Sequence, residues 1–124
     1  MKKGMDMFSR FGVLELNIHN GFYYDIVQIP QRITTESSTK FMTAIQAVTA
    51  AKLYAATVLE IKEKGDERKK KDIPSLEVKA LSAAAEACES YRDMMESAGI
   101  SNYLGCFQSR TDAEEEEEEE EEEE

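Results

Sequence analysis

The sequence lacks most of the residues from which catalytic and metal sites are built. Its 124 residues contain no Trp, only two Cys and a single His, His19. One histidine and two cysteines without paired spacing are too few for a structural zinc site. There is also no HExxH pattern, no serine in a nucleophile elbow and no glycine-rich phosphate loop before a helix. We therefore predict that the protein is not an enzyme and that it holds no cofactor and no metal.

The small number of cysteines also indicates in which cellular compartment the protein is expected. Cys88 and Cys106 are the only two, far from the density of a disulfide-stabilised secreted domain. We expect both to be reduced thiols in a cytoplasmic protein. The basic start of the chain has no apolar stretch behind it, so we expect no secretory signal. The longest apolar region, residues 44–59, is broken by Gln, Thr and Lys, and we predict no membrane span and no membrane partner.

Residues 1–113 carry no net charge, because their 15 acids balance their 15 bases. The sequence has 26 acids and 15 bases, and eleven of the acids form an unbroken C-terminal run. A run of like charges repels itself, so we predict a disordered acidic tail over residues 108–124 that binds a basic protein surface. The partner-binding residues are Glu114, Glu115, Glu116, Glu117, Glu118, Glu119, Glu120, Glu121, Glu122, Glu123 and Glu124.

Residues 12–29 show the pattern of a β-hairpin. Asn20-Gly21 is a strong hairpin-turn signal when alternating apolar runs flank it. A three-residue loop ending at Gly21 gives one apolar face, composed of Leu14, Leu16, Ile18, Phe22, Tyr24 and Ile26. We take residues 1–11, before this hairpin, as flexible or partly ordered.

Two long helices follow. Apolar residues at intervals of three and four predict helices over 38–64 and 74–98, with Gly65 and Gly99 just beyond their ends. A short polar turn between two long helices favours antiparallel packing. We therefore predict a single α+β domain over residues 12–107, in which the β-hairpin precedes an antiparallel helical hairpin.

Basic side chains crowd the connection between the two predicted helices. We call residues 62–71 the basic turn, because six of these ten residues are Lys or Arg. Clustered cations attract phosphates, although interleaved acids also suit a solvated turn. Aromatic residues of the predicted hairpin beside Arg side chains could stack nucleobases, but the chosen register leaves only Tyr23 exposed. The candidate nucleic-acid-binding residues are Lys62, Lys64, Arg68, Lys69, Lys70, Lys71, Arg10, Arg32 and Tyr23.

These features lead to two functional hypotheses. The first is a non-enzymatic nucleic-acid-associated binding protein, in single-strand binding or a replication accessory role, whose tail regulates binding or recruits basic partners. The tail resembles those of phage and bacterial single-strand binding proteins, which often finish on an apolar residue, whereas this one finishes on Glu124. The second is an oligomeric structural, assembly or inhibitor protein that uses the tail as a mimic of nucleic-acid charge. The alanine-rich helices favour a homo-oligomer in either case, because they bury little area alone.

Overall fold

The chain folds as a helical bundle. The computed structural model describes residues 6–109, and 79% of these residues are helical. Helix α1 (Met7–Asn20) continues into a π-helical segment (Gly21–Ile26), and a 3₁₀ turn (Pro30–Arg32) leads into α2. The remaining helices are α2 (Thr35–Lys64), the short α3 (Glu67–Lys70) and α4 (Ile73–Ser97). Since residues 6–109 contain no strand, the predicted α+β class and the β-hairpin over 12–29 are wrong.

The predicted turn at Asn20-Gly21 is helical, and Gly21 allows two helices to pack closely instead of reversing the chain. Asn20 and Gly21 both adopt right-handed helical angles, with φ of −64° and −59°. A Cβ on Gly21 would lie 3.1 Å from Met95 Sδ and 3.3 Å from Tyr91 Cε1. The missing side chain therefore lets α1 approach α4 closely, and the Asn-Gly pair carries no turn.

The apolar pattern of this segment also fits a helix. Leu14, Ile18 and Ile26 are buried, and spacings of four and eight residues satisfy the period of a helix as well as that of a strand. Leu16 and Tyr24, placed on the same face by the strand interpretation, are 58% and 71% exposed. The π-turn, in which Val27 N–H donates to Phe22 O at 2.8 Å, shifts the buried face by one residue and brings Ile26 into the core.

The predicted antiparallel helical hairpin is confirmed. Thr34 caps α2: its side chain accepts from Ser37 N–H, and the Ser37 hydroxyl accepts in return from Thr34 N–H, each at 3.0 Å. Gly65 ends the helix with a φ of 64°, and Gly99 follows α4 with a φ of 79°. The helices start three and one residues before the predicted 38 and 74. Residues 7–11, from the segment expected to be flexible or partly ordered, belong to α1.

Small residues line the seam between α2 and α4. In both helices, buried positions recur at alternating intervals of three and four residues, as in a coiled coil. Helix α1 runs antiparallel to α2, since Lys52 pairs with Glu15 at 3.0 Å and Phe41 lies against His19. The buried seam consists of Phe41, Ala44, Val48, Ala51, Ala55 and Val58 on α2, and Ala80, Ala84, Ala87, Tyr91 and Met94 on α4.

Residues 100–109, which we call the strap, run back along α1 and α4 after the last helix. A disulfide joins Cys106 of the strap to Cys88 of α4, with the Cα atoms 5.6 Å apart. The expectation of two reduced thiols is therefore wrong for this structure. The pairing follows from the chain reversal at Gly99, which brings together residues 18 apart in sequence.

Helix α2 meets a length-and-composition test for a membrane-spanning helix. Its most apolar 18-residue window has a mean hydropathy of 1.2, and 33% of that window is buried inside the bundle. The core helix of a soluble protein passes the same test, so one such helix is weak evidence for a membrane.

Candidate nucleic-acid interface

The basic turn lies at one end of the bundle, where α2 stops and α4 starts. Gly65 ends α2 in the left-handed conformation, and Asp66 then caps α3 by accepting from Arg68 N–H at 3.0 Å. The four-residue α3 consequently holds Arg68, Lys69 and Lys70 in one helical turn. All six basic residues of the turn are exposed. The basic turn is therefore a cluster of solvent-facing cations at this end of the bundle.

Two of the six cations are paired with neighbouring acids. Lys64 Nζ lies 2.6 Å from Glu60 Oε1, and Lys70 Nζ lies 2.9 Å from Glu67 Oε1. The hydrogen bond between Glu60 and Lys64 lowers the pKa of Glu60 and raises the pKa of Lys64. Exposed pairs of this kind contribute little to stability and exchange readily for other partners.

The other four cations make no direct ion pair within the described range, and Lys69 acts on Glu60 only through its charge, which helps to lower the pKa of that carboxyl. Lys62, Arg68, Lys69 and Lys71 make no ion pair with any residue between 6 and 109. A phosphate can therefore contact them without first breaking an ion pair. This separates the basic turn from Lys40 and Lys52, which pair with Asp93 and Glu15.

A cleft of about 420 Å³ opens beside the basic turn, between the end of α2 and the start of α4. Its apolar floor includes Ile61 and Leu76, and its basic lining comes from Lys64, Lys69 and Lys79. Glu60, Asp66 and Asp72 line it as well, so the cleft is mixed in charge. The cleft therefore combines an apolar floor with side chains of both charges at the edge of the basic turn.

Lys79 is the residue of this surface that the sequence analysis missed. It stands two turns into α4, outside the sequence cluster of bases, yet it lines the same cleft as Lys64 and Lys69. The predicted antiparallel hairpin could have indicated Lys79, because antiparallel packing places the first turns of α4 beside the last turns of α2. A search for basic residues that are adjacent in sequence does not find Lys79, because only the packing of α4 against α2 brings it to this surface.

The other predicted contacts lie elsewhere. Arg10 sits over the ring of Phe107, with its Cζ 5.0 Å from the ring centroid. Arg32 donates from Nη1 to the Asp25 carbonyl oxygen at 2.8 Å. Tyr23 stacks on His19 at 5.9 Å and meets Phe41 edge-on, at the opposite end of α2 from the basic turn. Twenty-one residues of α2 separate Phe41 from Lys62, about 30 Å at 1.5 Å per residue.

Neither a family model, nor a curated protein, nor a solved structure is similar to this chain. The assignment of a function therefore rests on the site alone.

Within residues 6–109, no group of three or more His, Cys, Asp or Glu side chains could hold a metal ion. His19 packs between Tyr23 and Phe41. The predicted tail contacts, Glu114 to Glu124, lie outside the described residues.

Proposed function

We propose that this protein is a non-enzymatic nucleic-acid-associated binding protein that contacts phosphates through the basic turn. The supporting observation is the group of four exposed cations at one end of the bundle that make no ion pair with residues 6–109, namely Lys62, Arg68, Lys69 and Lys71. Phosphate contacts of this kind give affinity without sequence preference and weaken steeply with salt. The acidic tail then acts as a competitor for the same cations.

Stacking of nucleobases on a sheet has no structural basis in residues 6–109, although the sequence predicted it as one mode of binding. Residues 6–109 offer no strand on which aromatic side chains could be presented, and Tyr23 packs against Phe41 about 30 Å from the basic turn. Single-strand binders rely on such stacking for much of their affinity. We therefore expect little preference for single-stranded over duplex DNA, because phosphates are common to both.

Charge reversal in the basic turn tests this function. Lys69→Glu and Lys71→Glu change exposed residues that have no ion pair among the described residues, so the fold stays intact. We expect the double variant to lose at least tenfold in affinity for a labelled oligonucleotide at low salt. The matched control is Arg92→Glu, an exposed cation toward the other end of α4, which we expect to have a small effect. Equal losses from both changes would contradict the assignment of the site.

A second candidate is supported by the charge distribution. Outside the eleven terminal glutamates the acids and bases balance, so the tail is the strongest electrostatic feature of the molecule. In this alternative the bundle carries the tail, and the tail imitates nucleic acid toward basic proteins. Serine at all eleven positions 114–124 separates the two hypotheses. The binder gains affinity for DNA, whereas the mimic loses capture of a basic protein and binds no DNA in either form.

We also propose that the protein is a homo-oligomer. The outward face of α2 exposes Met42 and Leu53, and that of α4 exposes Val78 and Leu81. Helix packing through one of these faces is the remaining route to association, since residues 6–109 have no strand to pair across a symmetry axis. Light scattering tests this proposal, and a strict monomer would contradict it.

A further inference from the structure

The cleft beside the basic turn offers an apolar floor to a ligand. Ile61 of α2 is buried, Leu76 of α4 is partly buried, and both line the cleft. Its volume of about 420 Å³ falls in the range of pockets that bind small molecules. A flat apolar group can therefore lie between the two helices, whereas a nucleic-acid duplex cannot enter a space of this size.

The side chains around this floor carry the two charges in equal number. Three lysines and three carboxylates line the cleft, namely Lys64, Lys69, Lys79, Glu60, Asp66 and Asp72. A phosphate monoester, with nearly two negative charges at neutral pH, gains little from a lining whose net charge is zero. A phosphodiester carries one charge, and a ligand that adds hydroxyl donors to it suits this lining better, because carboxylates accept hydrogen bonds and lysines donate them.

Asp72 is the carboxylate of the cleft that remains available to a ligand. Glu60 is paired with Lys64, and Asp66 accepts the backbone N–H of Arg68 as the cap of α3. Asp72 precedes α4, but its side chain makes no capping hydrogen bond and no ion pair with residues 6–109. A carboxylate in this position can accept a hydrogen bond from the 2′-hydroxyl of ribose, the group that distinguishes RNA from DNA.

Lys69 and Lys79 supply the available positive charge. Neither makes an ion pair within the part of the chain that the structure describes. Lys79 follows Asp72 by seven residues, about 10 Å along α4, so the acceptor and this cation are spread along one wall. Lys69 belongs to the basic turn, which makes the cleft continuous with Lys62 and Lys71.

We propose that the cleft binds one unpaired ribonucleotide of an RNA strand. The base lies on Ile61 and Leu76, the phosphodiester meets Lys69 and Lys79, and Asp72 accepts the 2′-hydroxyl. The basic turn binds the adjoining phosphates, so this inference rests on the proposed function and names the nucleic acid that it prefers. DNA offers no 2′-hydroxyl to Asp72 and binds through its phosphates alone.

The first experiment compares the affinity of the full-length protein for a single-stranded RNA and for the DNA of the same sequence, at low salt. We expect about fivefold tighter binding of the RNA, from one hydrogen bond to a charged group in a cleft open to solvent. Asp72→Ala should abolish this preference, and it removes no capping hydrogen bond from α4. The readout is the ratio of the two affinities, because loss of a negative charge strengthens the binding of both strands. Glu89→Ala, at an exposed acid further along α4, is the matched control and should keep the preference.

Methyl resonances provide a second readout that reports on the cleft itself. The methyl groups of Ile61 and Leu76 should shift on addition of the RNA and stay unchanged on addition of inorganic phosphate. Leu16, exposed on α1, is the internal reference. Equal affinity for RNA and DNA, or methyl groups of Ile61 and Leu76 that do not respond to the RNA, overturns the proposal.

One further variant separates this inference from the proposed function. Lys62→Glu with Lys71→Glu changes the basic turn outside the lining of the cleft. If RNA and DNA bind equally and this variant weakens both, the proposed function stands and the ribonucleotide site fails. If the preference for RNA holds while this variant binds DNA as the wild type does, the ribonucleotide site stands and the role of the basic turn fails. Absence of binding by either strand contradicts both.

Discussion

At the scale of single residues, Gly21 and Asn17 decide how the N-terminal helix meets the rest of the molecule. In sequence, Gly21 looks like a turn residue because Asn-Gly favours a turn between apolar runs, and Asn17 falls in the strand predicted before that turn. Gly21 instead permits a close approach to Met95 and Tyr91, and Asn17 is a buried donor to the strap. Local propensity could not reveal either role, because both depend on residues 70 or more positions away in sequence.

Gly21→Ala tests the close approach. The new methyl would meet Tyr91 Cε1 at 3.3 Å and the buried Met95 side chain, so we expect a loss of about 1–2 kcal/mol in unfolding free energy. Gly12→Ala is the matched control on the same helix, because its Cβ meets nothing within 4 Å. We expect the control to stabilise by about 0.5–1 kcal/mol, measured by urea unfolding under the same redox conditions. Two variants of equal stability would count against the packing role of Gly21.

Asn17→Ala tests the anchoring of the strap. Removal of the amide leaves up to three carbonyl oxygens without this donor, for an expected loss of about 1–3 kcal/mol. Amide hydrogen exchange should accelerate in the strap, notably at Gln108 N–H, while the α2–α4 seam keeps its protection. Asn20→Ala, an exposed change at the end of the same helix, serves as the control. Unchanged strap exchange in Asn17→Ala would refute the anchoring.

Tyr91 is expected to make the free energy of unfolding depend on pH in the alkaline range. Burial, with contributions from Asp25 and Tyr103, raises the pKa of Tyr91 to about 12. An unfolded tyrosine titrates near pH 10, so both states hold the proton below pH 10 and only the folded state holds it between about pH 10 and 12. The stability that this proton contributes is present below pH 10 and is lost as pH rises toward 12, on the order of 2 kcal/mol.

The comparison with Tyr91→Phe isolates this effect. At neutral pH the variant lacks the hydrogen bond to Leu104 O and should be less stable by about 1 kcal/mol. Between about pH 10 and 12 the wild-type protein loses about 2 kcal/mol of stability that the variant does not lose, so the gap should close and then change sign. Urea unfolding across this range measures it, and a gap that stays constant with pH contradicts the assignment.

At the scale of elements, sequence periodicity predicted α2 and α4 correctly but predicted a β-hairpin where α1 and the π-helical segment lie. Long stripes at intervals of three and four, with Gly65 and Gly99 after the ends, located α2 and α4 within three residues. The N-terminal segment failed because its buried residues, Leu14, Ile18 and Ile26, are separated by even numbers that suit either period. The π-turn at Gly21–Ile26 further obscured the helical repeat.

Thr34→Ala tests the start of α2. It removes the side chain that accepts from Ser37 N–H at 3.0 Å, and the expected cost is about 1 kcal/mol. Thr39→Ala, at an exposed position in the second turn of the same helix, lacks a capping role and should change stability by less than about 0.5 kcal/mol. Thermal unfolding of the pair measures the difference. A Thr34→Ala protein as stable as the Thr39→Ala protein would exclude a capping contribution.

At the scale of the whole molecule, the sequence located the basic turn but could not assemble the rest of the site. The sequence offered Tyr23, beside Arg side chains, as a second contact surface, and the helical bundle places Tyr23 and Arg32 at the opposite end of α2 from the basic turn. Lys79 joined the surface through antiparallel packing. The strap and its disulfide depend on a chain reversal at Gly99 that composition does not encode.

The central claim is that the exposed cations of the basic turn bind phosphates and that the acidic tail competes for them. Its most direct test compares the oxidised wild-type protein with the serine-tail protein, the variant that carries serine at positions 114–124. The measurement is the affinity of each protein for one oligonucleotide across a range of salt concentrations. We predict at least tenfold tighter binding by the serine-tail protein at low salt, and a gap that narrows as salt screens the tail. Equal affinity of the two proteins at every salt concentration, or no binding by either, would contradict the account.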